Sequence, residues 1–199
     1  IILGIIQGIT EFLPISSSGH LEIAKSILGQ DKIAKESLLM TIVLHFATAL
    51  STIVFFRKEI KTILIGLLSF KKNSSFDFSV KILYSMIPAI LVGLLLESHI
   101  EMLFIDNLTL VGYMLIVTAI LLILADKTQK NNKNLSKKHS IIIGIAQAIA
   151  IIPGISRSGM TISIALLLGI SPKIAAKYSF LLAIPVISGA GLLTALDNS

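Results

Sequence analysis

The chain has 199 residues with no cysteine and no tryptophan; 54% of its residues are apolar and 14% are charged. Soluble domains carry about 25% charged residues, so this composition indicates an integral membrane protein. The lack of cysteine excludes disulfide scaffolds, zinc fingers and thiol chemistry. The net charge of +6 comes from lysines between apolar stretches, a membrane-flanking pattern that argues against nucleic acid as a partner.

Long apolar segments follow one another along the chain. A helix needs roughly 20 apolar residues to cross a bilayer, and continuous runs of that length are unlike barrel strands. We therefore predict an all-α, polytopic membrane protein. Two segments, Ile1–Leu28 and Ser140–Ile170, are interrupted by Pro, Gly and Ser, and the shorter Ile60–Phe70 is predicted to be interfacial. The uninterrupted segments are Leu38–Phe56, Ile82–Leu96, Leu108–Ala125 and Ile174–Leu196.

The charges between these segments predict an orientation. The stretches Arg57–Lys81 and Asp126–His139 are rich in lysine, whereas Glu97–Asn107 between them carries three acidic residues and no Lys or Arg. Positively charged loops stay on the cytoplasmic side of a membrane. We expect the two basic stretches to be cytoplasmic and the acidic one to face outward.

The two interrupted segments resemble each other at an offset of 140 residues. "LGIIQGITEFLPISSSGHL" (Leu3–Leu21) aligns with "IGIAQAIAIIPGISRSGMT" (Ile143–Thr161), with Gly, Gln and Ser identical in register. Paired broken segments point to a site at the interface of inverted repeats. We predict one membrane domain, 1–199, truncated at its C-terminus, with inverted repeats at about 1–70 and 140–199. Each repeat contains a broken or re-entrant helix, and the two breaks face each other.

The first interruption, "PISSSGH", has the composition of an anion site. Pro14 ends one helix, and the serines after it can cap the next, whose free N–H groups bind anions. Glu11 and His20 are candidates for the general acid or base, and Ser17 is a candidate nucleophile. Gln7 lies four residues before Glu11 and so on the same helical face. The predicted substrate-binding residues here are Gln7, Ser16 and Ser18.

The second interruption, "PGISRSGMT", repeats this pattern and adds a cation. Arg157 has a planar fork that suits bidentate phosphate binding. An arginine inside an apolar segment is costly, so we expect it to be functional, with an anionic substrate or Glu11 as its partner. Arg157 is surrounded by hydroxyl groups and by a glycine that permits close backbone approach. These predicted substrate-binding residues are Ser156, Ser158, Gly159 and Thr161.

These residues are compatible with more than one class of protein. A nucleophile and a base beside an anion site favour an enzyme, whereas inverted repeats with half-helix anion sites also occur in transporters. The alternative is therefore a transporter or flippase of an anionic lipid. A noncatalytic scaffold would tolerate Glu11→Gln and Arg157→Ala. The residues leave open whether Ser17, His20 or water attacks, and whether the protein is a homodimer.

Both motifs resemble the signatures of the undecaprenyl-diphosphate phosphatase family, also known as bacitracin-resistance proteins. "QGITEFLPISSSGHL" is similar to the glutamate/glutamine-x-x-x-glutamate signature with its Ser-rich stretch, and "PGISRSGMT" to proline-glycine-x-serine-arginine-serine. The resemblance covers essentially the whole chain. For the alternative, a transporter or flippase, it implies that the anionic lipid is a polyprenyl phosphate. It implies an enzyme of the bacterial inner (cytoplasmic) membrane that hydrolyses undecaprenyl diphosphate to undecaprenyl phosphate and inorganic phosphate. Such an enzyme recycles the lipid carrier for peptidoglycan and other cell-wall polymers, confers bacitracin resistance and has an outward-facing active site.

The same resemblance implies roles for individual residues. Glu11 would be the essential acid, Ser17 the nucleophile, and His20 an acid/base or an alternative nucleophile. Gln7 stands where some members have glutamate, which makes a two-carboxylate site for Mg²⁺ or Ca²⁺ less plausible and leaves a divalent-cation requirement open. The residues that would hold the diphosphate are Ser156, Arg157 and Thr161.

Overall fold

The protein is all-helical in the computed structural model, which describes residues 1–29, 34–68, 73–96, 102–103, 107–128 and 132–197. Within these ranges nine helices account for the fold, and they contain no β-strand, as the apolar segments predict. The acidic stretch predicted to face outward lies mostly outside the described residues. The helices are α1 (Ile2–Thr10), α2 (Ser17–Ile27), α3 (Ala34–Phe55), α4 (Arg57–Leu68), α5 (Ser74–Leu95), α6 (Leu108–Asp126), α7 (Lys137–Ile149), α8 (Arg157–Leu167) and α9 (Pro172–Asp197).

The helices correspond to the apolar segments of the sequence. The four uninterrupted segments form α3, α5, α6 and α9, and α4 is a separate short helix. Each interrupted segment forms two helices joined by an irregular break, which we name the first break (residues 11–16) and the second break (residues 150–156). Among the described helices, α5 and α6 have the length and hydropathy of a membrane span, with mean hydropathies of 1.9 and 2.6.

Polar caps determine where several helices begin. The Asn73 side chain accepts a hydrogen bond from Phe76 N at the start of α5, and Asn107 accepts one from Leu110 N at the start of α6. Ser136 and His139 form a reciprocal capping box at the start of α7. Each cap supplies a partner for an N–H group that the first turn of a helix leaves unpaired.

The centre of the fold is the crossing of α5 and α7. Gly144 allows this close approach, because a Cβ there would lie 2.5 Å from the Ser85 carbonyl oxygen. Ser85 Oγ donates to the Ser140 carbonyl at 2.5 Å and lies 2.7 Å from the Tyr178 hydroxyl, which joins α9 to the crossing. The buried apolar residues around it are Ile82, Leu135, Ile143, Ala165, Ile170, Ala175, Tyr178, Leu181 and Leu182.

The chain returns on itself through α7, the second break and α8. Lys133 N, before α7, donates to the Gly169 carbonyl, after α8, at 2.9 Å. Both outer ends of this hairpin therefore lie at one end of the molecule, and the second break lies at the other end of α7. There α8 packs between α6 and α9, and α2 also contacts α6. This packing brings the two breaks together.

Candidate active site

The two breaks are in direct contact. A Cβ at Gly159, in the first turn of α8, would lie 2.7 Å from the Pro14 carbonyl oxygen of the first break. A Cβ at Gly19, in the first turn of α2, would lie 3.4 Å from Gly154 Cα of the second break. Each break therefore packs against the N-terminus of the helix that follows the other. At Gly159, only a residue without a side chain permits this approach.

In the first break, Ser16 forms the N-cap of α2. Its hydroxyl accepts from Gly19 N at 3.3 Å, and its carbonyl lies 2.7 Å from His20 Nδ1. Ser16 has a positive φ of 72°, a conformation that costs a non-glycine residue about 1–2 kcal/mol. The cap and the contact with His20 hold this turn in place. It directs Ser17, the first residue of α2, towards the preceding helix.

In the second break, Ser156 forms the N-cap of α8. Its hydroxyl accepts from Gly159 N at 2.9 Å. Its own backbone N–H donates to Thr118 Oγ1 of α6 at 3.1 Å, so a helix outside both motifs fixes the position of this break. Gly154 has a φ of +91°, and a Cβ there would lie 2.6 Å from the Val111 carbonyl oxygen of the same helix. The second break is thus seated on α6.

The charged centre of the site joins the two breaks. Arg157 Nη2 donates to Glu11 Oε1 at 2.9 Å across 146 residues of sequence. Ser17 Oγ donates to Glu11 Oε2 at 2.5 Å, and Gln7 Nε2 donates to the same oxygen at 3.0 Å. The Glu11 side chain is 8% exposed and that of Arg157 is 21% exposed. The geometry thus identifies Glu11 as the partner of Arg157 and places a serine hydroxyl on the other oxygen of the carboxylate.

Three residues that the sequence motifs do not contain hold these groups in place. The Ala183 carbonyl accepts from Arg157 Nη1 at 3.4 Å. Thr48 Oγ1 lies 3.5 Å from Gln7 Nε2. Thr118 accepts the N–H of the second break. Each lies on an apolar helix of another segment, and no local pattern distinguishes it from a packing residue.

The remaining predicted hydroxyls pair within the protein. Ser16 Oγ lies 3.3 Å from Ser18 Oγ, and Ser156 Oγ lies 3.2 Å from Ser158 Oγ. Thr161 Oγ1 donates to the Arg157 carbonyl at 2.9 Å and lies 2.7 Å from Ser179 Oγ of α9. These hydroxyls shape the helix N-termini around the charged centre. They are Ser16, Ser18, Ser156, Ser158 and Thr161.

His20 lies beside the site and is oriented by the backbone. A carbonyl oxygen can only accept, so His20 Nδ1 carries the hydrogen in its contact with Ser16 O. In a neutral ring Nε2 is then the nitrogen with the free lone pair. Among the described residues no hydrogen bond joins His20 to Ser17 or Glu11.

The oxygen atoms of Gln7 and Glu11 do not form a divalent-cation site in this arrangement. Glu11 is its only carboxylate, and both of its oxygens already accept hydrogen bonds, one of them from a guanidinium. Gln7 Oε1 is buried without a hydrogen-bond partner in the described part of the chain. One amide oxygen is too few ligands for Mg²⁺ or Ca²⁺, which take six or more oxygens. No group of three acidic or histidine side chains occurs within the described ranges.

The arrangement can perform group transfer on an anion. It combines a hydroxyl nucleophile whose proton points at a carboxylate, a guanidinium, and two helix N-termini with oriented N–H groups. Phosphoryl transfer depends mainly on positioning and charge stabilisation, which these groups supply.

Comparison with known proteins agrees with this chemistry. The family model "Bacitracin resistance protein BacA" matches residues 1–199. An undecaprenyl-diphosphatase of Christiangramia forsetii is 57% identical over 189 residues, covering 95% of this chain and 72% of that protein. Proteins of the same name from Thermosipho melanesiensis and Methanococcus vannielii are 47% and 44% identical, each covering 97% of this chain and 76% of the relative.

Proposed function

The chain belongs to the bacitracin resistance protein BacA family, and from that premise we propose that it hydrolyses undecaprenyl diphosphate to undecaprenyl phosphate and inorganic phosphate. The product is the lipid carrier on which peptidoglycan and other cell-wall polymers are built. Its regeneration accounts for bacitracin resistance. The observation that supports the proposal most directly is the Glu11 carboxylate, which bridges Ser17 Oγ, just after the first break, and Arg157 Nη2, just after the second.

Ser17 is the nucleophile in the proposed mechanism, and Glu11 is its base. Ser17 Oγ attacks the terminal phosphorus while its proton passes to Glu11 Oε2, the oxygen to which it already donates. The bond from phosphorus to the bridging oxygen breaks, and undecaprenyl phosphate leaves. Water then attacks the phosphorus of the phosphoserine and the bond from phosphorus to Ser17 Oγ breaks. The serine oxygen takes back the proton from Glu11, and inorganic phosphate is released.

Arg157 and the helix N-termini stabilise the charge that develops on the phosphoryl oxygens. The Arg157 contact with the Ala183 carbonyl is long, at 3.4 Å, so a phosphate oxygen can replace it at Nη1 while Nη2 stays on Glu11. The buried hydroxyls of Ser156 and Thr161 keep the α8 N-terminus in position. His20 Nε2 is the free nitrogen beside the site and the second candidate for an acid or base.

The proposed placement is a multi-pass fold in the bacterial inner membrane, with the site opening outward. The basic stretches next to α4 and α7 support a cytoplasmic position for that end of the molecule. The hydrogen bond from Lys133 N to Gly169 O holds the start of α7 and the end of α8 at the same end of the molecule, which supports a re-entrant second repeat. The sequence identity at an offset of 140 residues supports two inverted repeats. Because the chain lacks cysteine, single-cysteine labelling in cells tests this cleanly: Ile1→Cys and Lys138→Cys should label from opposite sides.

The chemical step is tested by trapping the phosphoenzyme. Purified protein is mixed with substrate labelled on the terminal phosphate and quenched in parallel in acid, which preserves phosphoserine, and in alkali, which preserves phosphohistidine. We expect acid-stable label on Ser17, absent in Ser17→Ala and retained in Ser26→Ala, which changes a serine of the same helix away from the site. Acid-labile label on His20, or undiminished hydrolysis by Ser17→Ala, would show that Ser17 is not the nucleophile.

The rival function, transport or flipping of an anionic lipid, needs the anion site but not the Ser17–Glu11 pair. In liposomes a flippase would move the lipid without releasing phosphate, and Ser17→Ala would still move it. A hydrolase releases phosphate in detergent as well, where no membrane is present and lipid movement between leaflets cannot occur.

A further inference from the structure

A cavity of about 730 Å³ lies at the opposite end of the molecule from the two breaks. The first turns of α4, α5 and α9 line it, together with the segment just before α7. The 13 residues of α7 separate that segment from the second break, a distance of about 20 Å at 1.5 Å per residue. The cavity is therefore separate from the proposed active site. We name it the lysine cavity, after Lys58, Lys81 and Lys177 in its wall.

The charge of the lysine cavity favours an anion. Its three lysines face two carboxylates: Lys81 pairs with Asp77, and Lys177 lies 3.9 Å from Glu59. Lys58 is exposed and has no ion pair in the described part of the chain. One positive charge is thus left over. The first turns of three helices add the partial positive charge of their N-termini to the same wall.

The inner wall of the lysine cavity is apolar. Leu135 is buried there, and Phe78 and Ile174 are half-buried beside it. Outside the cavity, the same two helices α4 and α5 carry exposed Ile65 and Leu83, which suit contact with lipid. An anion that also presents apolar chains fits this combination better than a fully hydrated anion does.

We propose that the lysine cavity binds the phosphate headgroup of an anionic membrane lipid of the cytoplasmic leaflet. The hydroxyls of Ser74 and Ser75 line the cavity and can donate to phosphate oxygens. Basic pockets between helices on the cytoplasmic side are typical sites for anionic lipids. Bound there, the lipid joins the starts of α4, α5 and α9 and so stabilises the end of the fold from which α9 runs to the active site.

Lipid binding is measured on the delipidated full-length protein, by native mass spectrometry and by thermal unfolding with vesicles of phosphatidylglycerol or phosphatidylcholine. The double variant Lys58→Gln/Lys177→Gln removes two cavity lysines. The matched control, Lys138→Gln/Lys173→Gln, removes two exposed lysines at the same end of the molecule that do not line the cavity. Inorganic phosphate alone is tested in parallel.

We expect phosphatidylglycerol to bind and to raise the unfolding temperature, and phosphatidylcholine to do neither. The cavity variant should bind at least about tenfold more weakly, since each lysine near an anionic lipid contributes roughly a factor of five, and the control should bind as wild type does. Equal weakening in both variants, no preference for the anionic lipid, or saturation by inorganic phosphate alone would overturn the proposal. Phosphate release in detergent is read separately, so failure of lipid binding leaves the phosphatase proposal standing.

Discussion

Replacement of Arg157 tests the proposed site most directly, because one side chain contributes to both its structure and its chemistry. In Arg157→Ala the Glu11 carboxylate, 8% exposed, loses its cationic partner at 2.9 Å. Breaking a buried ion pair costs about 3–5 kcal/mol. Ser17 and Gln7 still donate to the other carboxylate oxygen. We therefore expect a loss just below that range, about 2–3 kcal/mol in the free energy of unfolding.

Expressed as a free energy, the loss of kcat in Arg157→Ala should be larger than the loss in the free energy of unfolding. Arg157 is the only guanidinium at the two breaks, and removal of one preorganised charge-stabilising donor lowers kcat by about 10²- to 10³-fold. Arg157→Lys keeps the charge but loses the planar fork, so its kcat should fall between those of wild type and Arg157→Ala. The matched control is Arg57→Ala, which changes the one other arginine of the chain, an exposed residue at the start of α4. It should retain kcat within about twofold.

The assay is phosphate release from a polyprenyl diphosphate in detergent, with kcat and KM determined separately. Thermal unfolding is followed by circular dichroism, since the chain has no tryptophan to report on it. The double variant Glu11→Gln/Arg157→Ala separates the two effects: neutralising the unpaired carboxylate should restore part of the stability and none of the activity. A folded Arg157→Ala protein with kcat/KM within fivefold of wild type would refute the role given to this residue.

Three further substitutions test the contacts around the charged centre. Gly159→Ala places a Cβ 2.7 Å from the Pro14 carbonyl and should separate the two breaks, costing about 1–3 kcal/mol and most of the kcat; thermal unfolding and hydrolysis unchanged from wild type would contradict this contact. Thr118→Val leaves a buried backbone N–H without its acceptor and should lower the unfolding free energy by about 1–3 kcal/mol with a reduced kcat, whereas Thr118→Ser should keep both. Gln7→Glu places a second carboxylate four residues before Glu11, so its hydrolysis should depend on added Mg²⁺ or Ca²⁺ more strongly than that of wild type. The same EDTA titration curve for both proteins would count against that expectation.

The sequence was sufficient to predict the helices and their interruptions. The predicted span Leu108–Ala125 differs by one residue from α6, Leu108–Asp126, because apolar length and an Asn cap determine both ends. The break at Pro14 was predictable for a local reason: proline cannot donate the next backbone hydrogen bond, and the serines after it can cap a new helix. Helix ends and breaks of this kind depend only on residues close together in the sequence, which is why they can be predicted from it.

The contacts that orient the site were not predictable in this way. Thr118 and Ser179 lie in apolar helices, where small polar residues often serve only packing. Ala183 contacts Arg157 through its backbone carbonyl, which carries no sequence signal. Their importance appears once α6 and α9 are packed against α8, a consequence of the whole fold. The sequence also left open whether Arg157 pairs with Glu11, and the structure shows this ion pair.

The asymmetry between the two motifs explains why the site requires both. Ser17 and Arg157 stand at equivalent positions, 140 residues apart, each the first residue of the helix after its break. Their side chains bind the two oxygens of one carboxylate, and the position equivalent to Glu11 in the second motif is Ile151. Two identical motifs would place two serines or two arginines on that carboxylate, and neither pair supplies both a nucleophile and a cation. In the proposed mechanism, the difference between the two motifs is therefore what supplies both groups, and a variant in which Ser17 and Arg157 are exchanged should fold less stably and hydrolyse nothing.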